Sequence, residues 1–143
     1  MTVKAILSGK SHDVITIEPT ARIETAVGIL AEHRIGAVIV TDQDRHILGI
    51  LSERDVVRAL AERGPAMLTE PVAQVMTRKV VTCSESETVS GIMERMTGGK
   101  FRHVPVVDRG RLVGVVSIGD VVKYRLSEIE RESSALREYI LTA

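Results

Sequence analysis

The chain has almost no aromatic side chains: among 143 residues there are no Trp, one Phe and two Tyr. Apolar residues still make up 44 %, so a core can form but must be filled by aliphatic side chains. Cys83 is the only cysteine, which excludes an intramolecular disulfide and any multi-cysteine metal centre. It sits in the apolar run Val80-Val81-Thr82-Cys83, where a buried, inert thiol is expected. Net charge is missing too, because nineteen basic and nineteen acidic residues cancel. That balance marks no nucleic-acid-binding face, and no block of like charge marks a disordered tail. A nucleotide pocket remains open to such a chain, since a few local charges suffice. No window approaches the roughly 18 apolar residues of a membrane span. The residues up to Asp13 hold too short an apolar stretch for a signal peptide. No membrane contact and a cytoplasmic location follow by elimination.

Signatures of catalysis are lacking as well. There is no G-x-S-x-G, no H-E-x-x-H, no P-loop and no G-x-G-x-x-G. His12, His33, His46 and His103 have no metal-ligand spacing, so no metal site and no catalytic residue are assigned. Ser, His and Asp are present and a hydrolytic triad can be imagined from them, but the serines fit helix caps better.

What the chain does have is an internal repeat. A shift of 66 residues lays Val14, Thr16 and Ile23 on Val80, Thr82 and Val89, then Val38, Val40 and Asp42 on Val104, Val106 and Asp108. One residue then drops out, and a shift of 65 lays Gly49 to Ser52 on Gly114 to Ser117 and Asp55 on Asp120. The slip falls between Gln43-Asp44-Arg45 and Arg109-Gly110, in turn-type residues where a change of length costs little. Each copy predicts β-α-β-β-α. The strands are Val14 to Ile17, Ala37 to Thr41 and Ile47 to Leu51, with Val80 to Cys83, His103 to Val107 and Leu112 to Val116 as their second-copy partners. Spacings of three and four at Ile23, Val27, Leu30 and at Val89, Ile92, Met96 predict helices, with Thr20 and Ser86 as start hydroxyls. Further helices follow from Glu53 to Arg63 and from Ile118 onward, and a brief helix precedes each copy, near Val3 to Leu7 and Val72 to Met76. The organisation expected is an α/β (α+β) chain with repeat 1 over 1–64, a linker over 65–71, repeat 2 over 72–126 and a helical extension over 127–143.

Two stretches have the form Gly-hydrophobic-hydrophobic-Ser-x-x-Asp: Gly49-Ile50-Leu51-Ser52-Glu53-Arg54-Asp55 and Gly114-Val115-Val116-Ser117-Ile118-Gly119-Asp120. With the tandem order they resemble the CBS domain family over residues 3 to about 126. Arg102-His103-Val104-Pro105-Val106-Val107-Asp108 also looks like a signature stretch of that family, and its first-copy partner carries Ile39 where the proline usually stands. The resemblance implies a Bateman module: two pseudo-twofold-related repeats packed through their small sheets, with two clefts between them. Some family pairs hold AMP, ADP, ATP, S-adenosylmethionine or NAD(H) there, and others hold nothing. No catalytic domain accompanies the pair in this sequence. A sensor of adenosine nucleotides that does no chemistry on them is the function implied. It would act on an unidentified target protein and form a homodimer through helices of both repeats. A ligand-free adaptor is the alternative, and a small hydrolase a more distant one.

The residues suit this chemistry. In Ser52 with Asp55, and in Ser117 with Asp120, the serine ends a strand and the aspartate lies in the first turn of a helix. The carboxylate can accept from ribose hydroxyls, and the hydroxyl and first-turn amides can face a phosphate. The same pattern is also a plain helix cap. Ile15, Thr16, Ile17, Ala37 and Val38 suit one adenine slot, and Val81, Thr82, Cys83, Val104 and Pro105 the other. By family analogy Asp120 shares a site with Thr16, Gly36 and Ala37, and Asp55 with Thr82, Arg102 and His103. Lys100, Arg102 and His103 form a basic cluster, whereas their first-copy partners are Arg34, Gly36 and Ala37. One cleft is therefore expected to carry phosphate-binding charge and the other none, leaving it room for a longer ligand such as NAD(H).

Overall fold

A computed structural model describes residues 2–9, 14–99 and 101–142. Helix α1 (Val3–Ser8) comes first. Strand β1 (Thr16–Ile17), helix α2 (Ile23–His33), strands β2 (Ala37–Thr41) and β3 (Ile47–Ser52) and helix α3 (Glu53–Arg63) form the first repeat. Two short 3-10 helices, Pro65–Thr69 and Val72–Gln74, lead to helix α4 (Val89–Gly99), strands β4 (His103–Asp108) and β5 (Arg111–Ser117) and the 25-residue helix α5 (Ile118–Thr142). The mixed α/β class, the two hairpins and the C-terminal helix match the sequence reading.

The opening strand of each repeat is shorter than its apolar run. In the first repeat only Thr16 and Ile17 pair, parallel to Ile39 and Val40 of β2. In the second repeat Val80 to Cys83 makes no strand, and Cys83 alone bridges to Val106. The Cys83 N–H donates to the Pro105 carbonyl at 3.0 Å and the Val107 N–H donates to the Cys83 carbonyl at 2.9 Å. The next bond along that ladder needs an N–H at position 105, where proline has none. Ile39, at the matching place, has one. A single departure from the repeat pattern thus separates a three-stranded sheet, β1-β2-β3, from a two-stranded one, β4-β5.

The hairpins explain the one-residue slip. Asp108 pairs with Arg111, leaving a two-residue turn in which Arg109 and Gly110 have φ of 52° and 80°. Two positive φ values are the signature of a type I′ turn, whose twist suits a hairpin. In the first repeat Thr41 pairs with Ile47, and Asp42 Oδ1 closes the longer turn by accepting from the backbone N–H groups of Asp44 and His46, both at 2.9 Å.

Two helix starts differ from expectation. Thr20 does not cap α2: Arg22 holds the cap position without a side-chain bond, and the Ile23 N–H donates to the Glu70 carbonyl. In the second repeat Thr88 Oγ1, not Ser86, accepts from the Gly91 N–H, at 3.0 Å. The segment read as a linker is ordered as 3-10 turns, and it buries Met67 in the first core. The brief helix expected near Val72 to Met76 is likewise a 3-10 turn, Val72–Gln74.

There are two hydrophobic cores, and they do not follow chain order. The first gathers Ile23, Leu30, Val38, Val40 and Leu51 and is completed by Val72 and Met76. The second gathers Val89, Ile92, Met96, Val104, Val106 and Val116 and is completed by Val3 and Ile6 of α1. Each repeat is closed by the segment that precedes the other. Backbone bonds seal both crossings: Val3 N–H to the Glu87 carbonyl at 2.9 Å, Val72 N–H to the Ala21 carbonyl at 2.7 Å. Glycines permit the close approach. A Cβ on Gly49 would lie 2.8 Å from the Thr77 carbonyl oxygen and from Met76 Sδ; one on Gly114 would lie 2.6 Å from a Leu7 methyl.

Candidate functional site

Each Ser-x-x-Asp turn is built alike. The Ser52 N–H donates to Asp55 Oδ2 at 2.9 Å, its hydroxyl donates to the same oxygen at 3.0 Å, and the Asp55 N–H donates to Ser52 Oγ at 3.2 Å. Ser117 and Asp120 repeat this at 2.9, 2.9 and 3.2 Å. This is the reciprocal capping box, with aspartate in the third helical position. The first amide of each helix is also spoken for: Glu53 N–H donates to the Gly36 carbonyl and Ile118 N–H to the Arg102 carbonyl. The serine hydroxyls, expected to face a phosphate, are therefore engaged within the cap, and the first amides are engaged by strand-start carbonyls. Asp55 is 7 % exposed and its Oδ1 also accepts from the Thr77 hydroxyl at 3.1 Å. A carboxylate offers about four lone pairs, so Asp55 keeps one acceptor direction in place of a bidentate pair.

The cap places these turns at the rims of two clefts. One, of about 480 Å³, is lined by Ser52 and Asp55 from the first repeat and by Val80, Val81, Phe101, Arg102 and His103 from the second, with Thr77 between them. The other, of about 350 Å³, is lined by Ile15, Ile35, Gly36 and Ala37 from the first repeat and by Val113, Gly114, Val115 and Ser117 from the second. Both lie within the range of small-molecule pockets. Asp55 thus shares the larger cleft with Arg102 and His103, while in the smaller it is Ser117, in place of the expected Asp120, that meets Gly36 and Ala37.

Other expected members lie elsewhere. Val38 and Pro105 are buried in the strands, and Ile17, Cys83 and Val104 belong to the cores. Thr16 and Thr82 do not line a cleft, whereas Val14, Ile15, Val80 and Val81 beside them do. The Thr82 carbonyl instead accepts from Arg95, which also pairs with Glu87 at 2.7 Å. Asp120 stands beside Ser117 without lining the cleft itself. Lys100 and His12 fall outside the described residues.

Charge is distributed differently from the sequence expectation. Arg34 and His103 line the smaller cleft, so it is not uncharged. Arg34 reaches it because α2 ends there in the left-handed conformation, φ 53° and ψ 46°. The larger cleft gains Arg54, Arg58 and Lys79 in addition to Arg102 and His103, with Glu53 opposing. Arg54 and Arg58 sit four apart on α3, one turn of a helix, and that spacing was the available signal. Gly36, Ala37 and His103 line both clefts, and a Cβ on Gly36 would lie 3.6 Å from the His103 ring. The clefts therefore meet where the two repeats touch.

Two further groups bear on chemistry. Cys83 is 3 % exposed, and burial, reinforced by Glu87 and opposed by Arg95, pushes its thiol up to about 11. Among the described residues one trio, Asp42, Asp44 and His46, brings three potential metal-ligand atoms within 4.8 Å. It escaped the sequence scan because two of its members are carboxylates. It lies in the exposed hairpin turn, where the His46 backbone N–H, followed by its ring, lowers the Asp42 pKa against opposing desolvation. Among the described residues no helix is long and apolar enough to cross a membrane.

Comparison with known proteins agrees with this geometry. The CBS domain model matches twice, over residues 3–62 and 72–127. A CBS-domain containing protein of Agrobacterium tumefaciens superposes with a TM-score of 0.83 at 51 % identity, over 87 % of this chain and 99 % of that one. The CBS domain pair of protein MJ0100, solved with 5'-methylthioadenosine and S-adenosyl-L-methionine, gives 0.79 at 29 % identity, over 90 % and 98 %. A CBS domain protein of Pyrobaculum aerophilum complexed with AMP gives 0.74 at 29 % identity, over 84 % and 89 %. Against three further relatives, matched at 32–33 % identity, the chain spans 66 %, 58 % and 24 % of their length. From the doubled turn, the crossed clefts and the doubled family match, the chain belongs to the CBS domain family, as a tandem pair.

Proposed function

We propose that this pair is a regulatory module whose clefts bind adenosine-containing ligands without transforming them. One observation carries the reading: each cleft joins the Ser-x-x-Asp turn of one repeat to the start of the other repeat's central strand. A ligand bridging such a cleft touches both repeats, so its binding free energy reports on how they sit together. AMP and S-adenosyl-L-methionine in the related pairs support the ligand class. In the larger cleft the remaining acceptor of Asp55 takes a ribose hydroxyl, the walls at Val80 and Val81 take the base, and Arg54, Arg58, Lys79, Arg102 and His103 take phosphates. The smaller cleft, with Arg34 as its cation and the His103 imidazole on its wall, suits an adenosyl group of lower charge or one end of NAD(H).

In this reading the chain is no enzyme, acts in the cytoplasm, and passes ligand state to a target protein. It pairs with a second copy through α3 and the start of α5, whose Val57, Leu60 and Val122 are 65 %, 42 % and 47 % exposed. Thermal melts with AMP, ATP, NADH and S-adenosyl-L-methionine test it. Saturation a hundredfold above the dissociation constant stabilises the native state by about 2.7 kcal/mol. A raised Tm with at least one ligand, which is recovered unchanged, is expected. No shift with any ligand at millimolar concentration makes the module a ligand-free adaptor, and turnover makes it an enzyme.

A further inference from the structure

Helix α5 has two faces of different fate. Val121 is buried and the Tyr124 hydroxyl donates to the Ala5 carbonyl at 2.7 Å, so these two positions face the chain's own core. On the opposite side Val122, Leu126, Ile129, Leu136 and Ile140 are 46–64 % exposed. With Ser133 they recur at alternating intervals of four and three, the heptad seam of a coiled coil rather than the wider stripe of a core helix. In heptad terms Leu126, Ser133 and Ile140 occupy a, and Val122, Ile129 and Leu136 occupy d. Val121 and Tyr124 fall at c and f, across the helix from the seam.

The flanking charges say what covers this face. Arg125 and Glu132 occupy g, and Glu130 and Arg137 occupy e. In a parallel in-register pair each g residue meets the e′ residue five positions on. That sets Arg125 against Glu130 and Glu132 against Arg137, each twice, and every contact is attractive. An antiparallel pair with Leu126 opposite Leu136 instead faces Glu132 with Glu132, Glu130 with Glu130 and Lys123 with Arg137, all repulsive. Shifted by a heptad toward the C-terminus, it recovers only Glu130 with Arg137. Shifted the other way, it pairs Arg125 with Glu132 and Lys123 with Glu130 but leaves Leu136 and Ile140 uncovered. Arg125 already pairs with Glu128 at 3.0 Å within its own helix, but that exposed contact is weak and exchangeable.

We propose that residues 122–140 of α5 form a parallel, in-register two-stranded coiled coil with the same helix of a second copy of this chain. The segment covers fewer than three heptads and is too short to associate alone. Attached to a pairing module it acts at high effective concentration. The coil extends the dimer contact proposed above and requires no nucleotide in either cleft.

Two experiments on the full chain test it. Ile140→Cys, treated with oxidised glutathione, is expected to give an intermolecular disulfide. Glu138→Cys, at f, is expected to give little. Buried Cys83 stays silent in both. In every antiparallel register above, Ile140 lies at least about 16 Å, three helical turns, from its copy. Equal cross-linking of the two variants, or none for Ile140→Cys in a chain that sediments as a dimer, overturns the coil and leaves the dimer reading standing. A wild-type chain that is monomeric at micromolar concentration overturns both. In the second experiment Glu132→Arg and Arg137→Glu each make the g–e′ contact repulsive. Each variant is expected to dimerise about tenfold more weakly than wild type. Mixed, they restore attraction, and native mass spectrometry is expected to show the heterodimer dominating. A mixture that associates no better than its components overturns the proposal.

Discussion

Ser52–Asp55 and Ser117–Asp120 agree in every bond of the cap to within 0.1 Å, yet the clefts beside them differ in volume and charge. The larger gathers Arg54, Arg58, Lys79, Arg102 and His103; the smaller has Arg34 and His103. The two copies share the turn that sets the helix direction and differ in the basic residues around it. Backbone geometry is held by reciprocal hydrogen bonds that few residue types satisfy, whereas a rim charge is free to change without unfolding anything. The repeat signature therefore marks a scaffold, and the charges that distinguish the clefts lie outside it.

The sharpest test of the comparison concerns the glycines before the two turns. Gly49→Ala drives a methyl against the Thr77 carbonyl, which is fixed by its pairing with Ile50, and against Met76. Gly114→Ala meets a Leu7 methyl, which can rotate. Urea unfolding is expected to show losses of about 3 kcal/mol and about 1 kcal/mol respectively. Equal losses would mean that Leu7 is as rigid as the Thr77 backbone.

Charge comes next. Arg102→Ala combined with His103→Ala is expected to weaken AMP at the larger cleft about thirtyfold, roughly 2 kcal/mol, by calorimetric titration. Adenosine should change little. The loss should shrink as salt rises, because exposed cation–phosphate contacts are screened. Comparable losses for both ligands would reduce these residues to pocket walls.

The aspartates follow. Asp55→Ala and Asp120→Ala each remove a capping box, at a folding cost of about 1–2 kcal/mol. The loss is expected to be greater at Asp55, which is buried, than at Asp120, which is half-buried. Nucleotide binding is expected to weaken at one class of site in each variant. Binding that survives both substitutions would leave the aspartates as caps alone.

Smallest is a difference in pH response between the two first strands. Cys83 titrates at about 11 in the fold against an ordinary value near 9, and no first-repeat residue at the matching place ionises. Its folded value is raised, so its contribution is complete below pH 9 and lost as pH climbs toward 11. Cys83→Ala is expected to flatten that alkaline decline in Tm. An unchanged decline would assign it to other groups.

The sequence carried the scaffold well and the rim less well. Gly49 to Asp55 and Gly114 to Asp120 combine a period-two strand, a cap and a first turn in seven residues, so their geometry is local and readable. Even the one-residue slip announced itself, through Arg109-Gly110. Cleft membership is not local. Arg34 reaches the smaller cleft because of a left-handed helix end, and Arg58 and Lys79 join the larger through packing between segments distant in sequence. The missing strand at Val80 was legible in principle, since Pro105 withholds the N–H it required. Thr16 and Thr82 are half-buried outside both linings, each one residue beyond a lining residue, Ile15 and Val81, and neighbouring side chains of an extended segment point to opposite faces.

The docking of α1 on the second core sets an order of events on the ribosome. Val3 and Ile6 leave the exit tunnel ahead of both repeats, but the core they complete, Cys83 through Val121, is made long after them. The first repeat can close as soon as Val72 and Met76 emerge. Until the second repeat is made, α1 must wait as an exposed apolar turn, and its closure joins segments at opposite ends of the repeat pair. Nascent chains with Met76 clear of the exit tunnel and Cys83 still inside it should thus protect the first core from protease while leaving α1 open to cleavage. The helix made ahead of both repeats is the last to find its place.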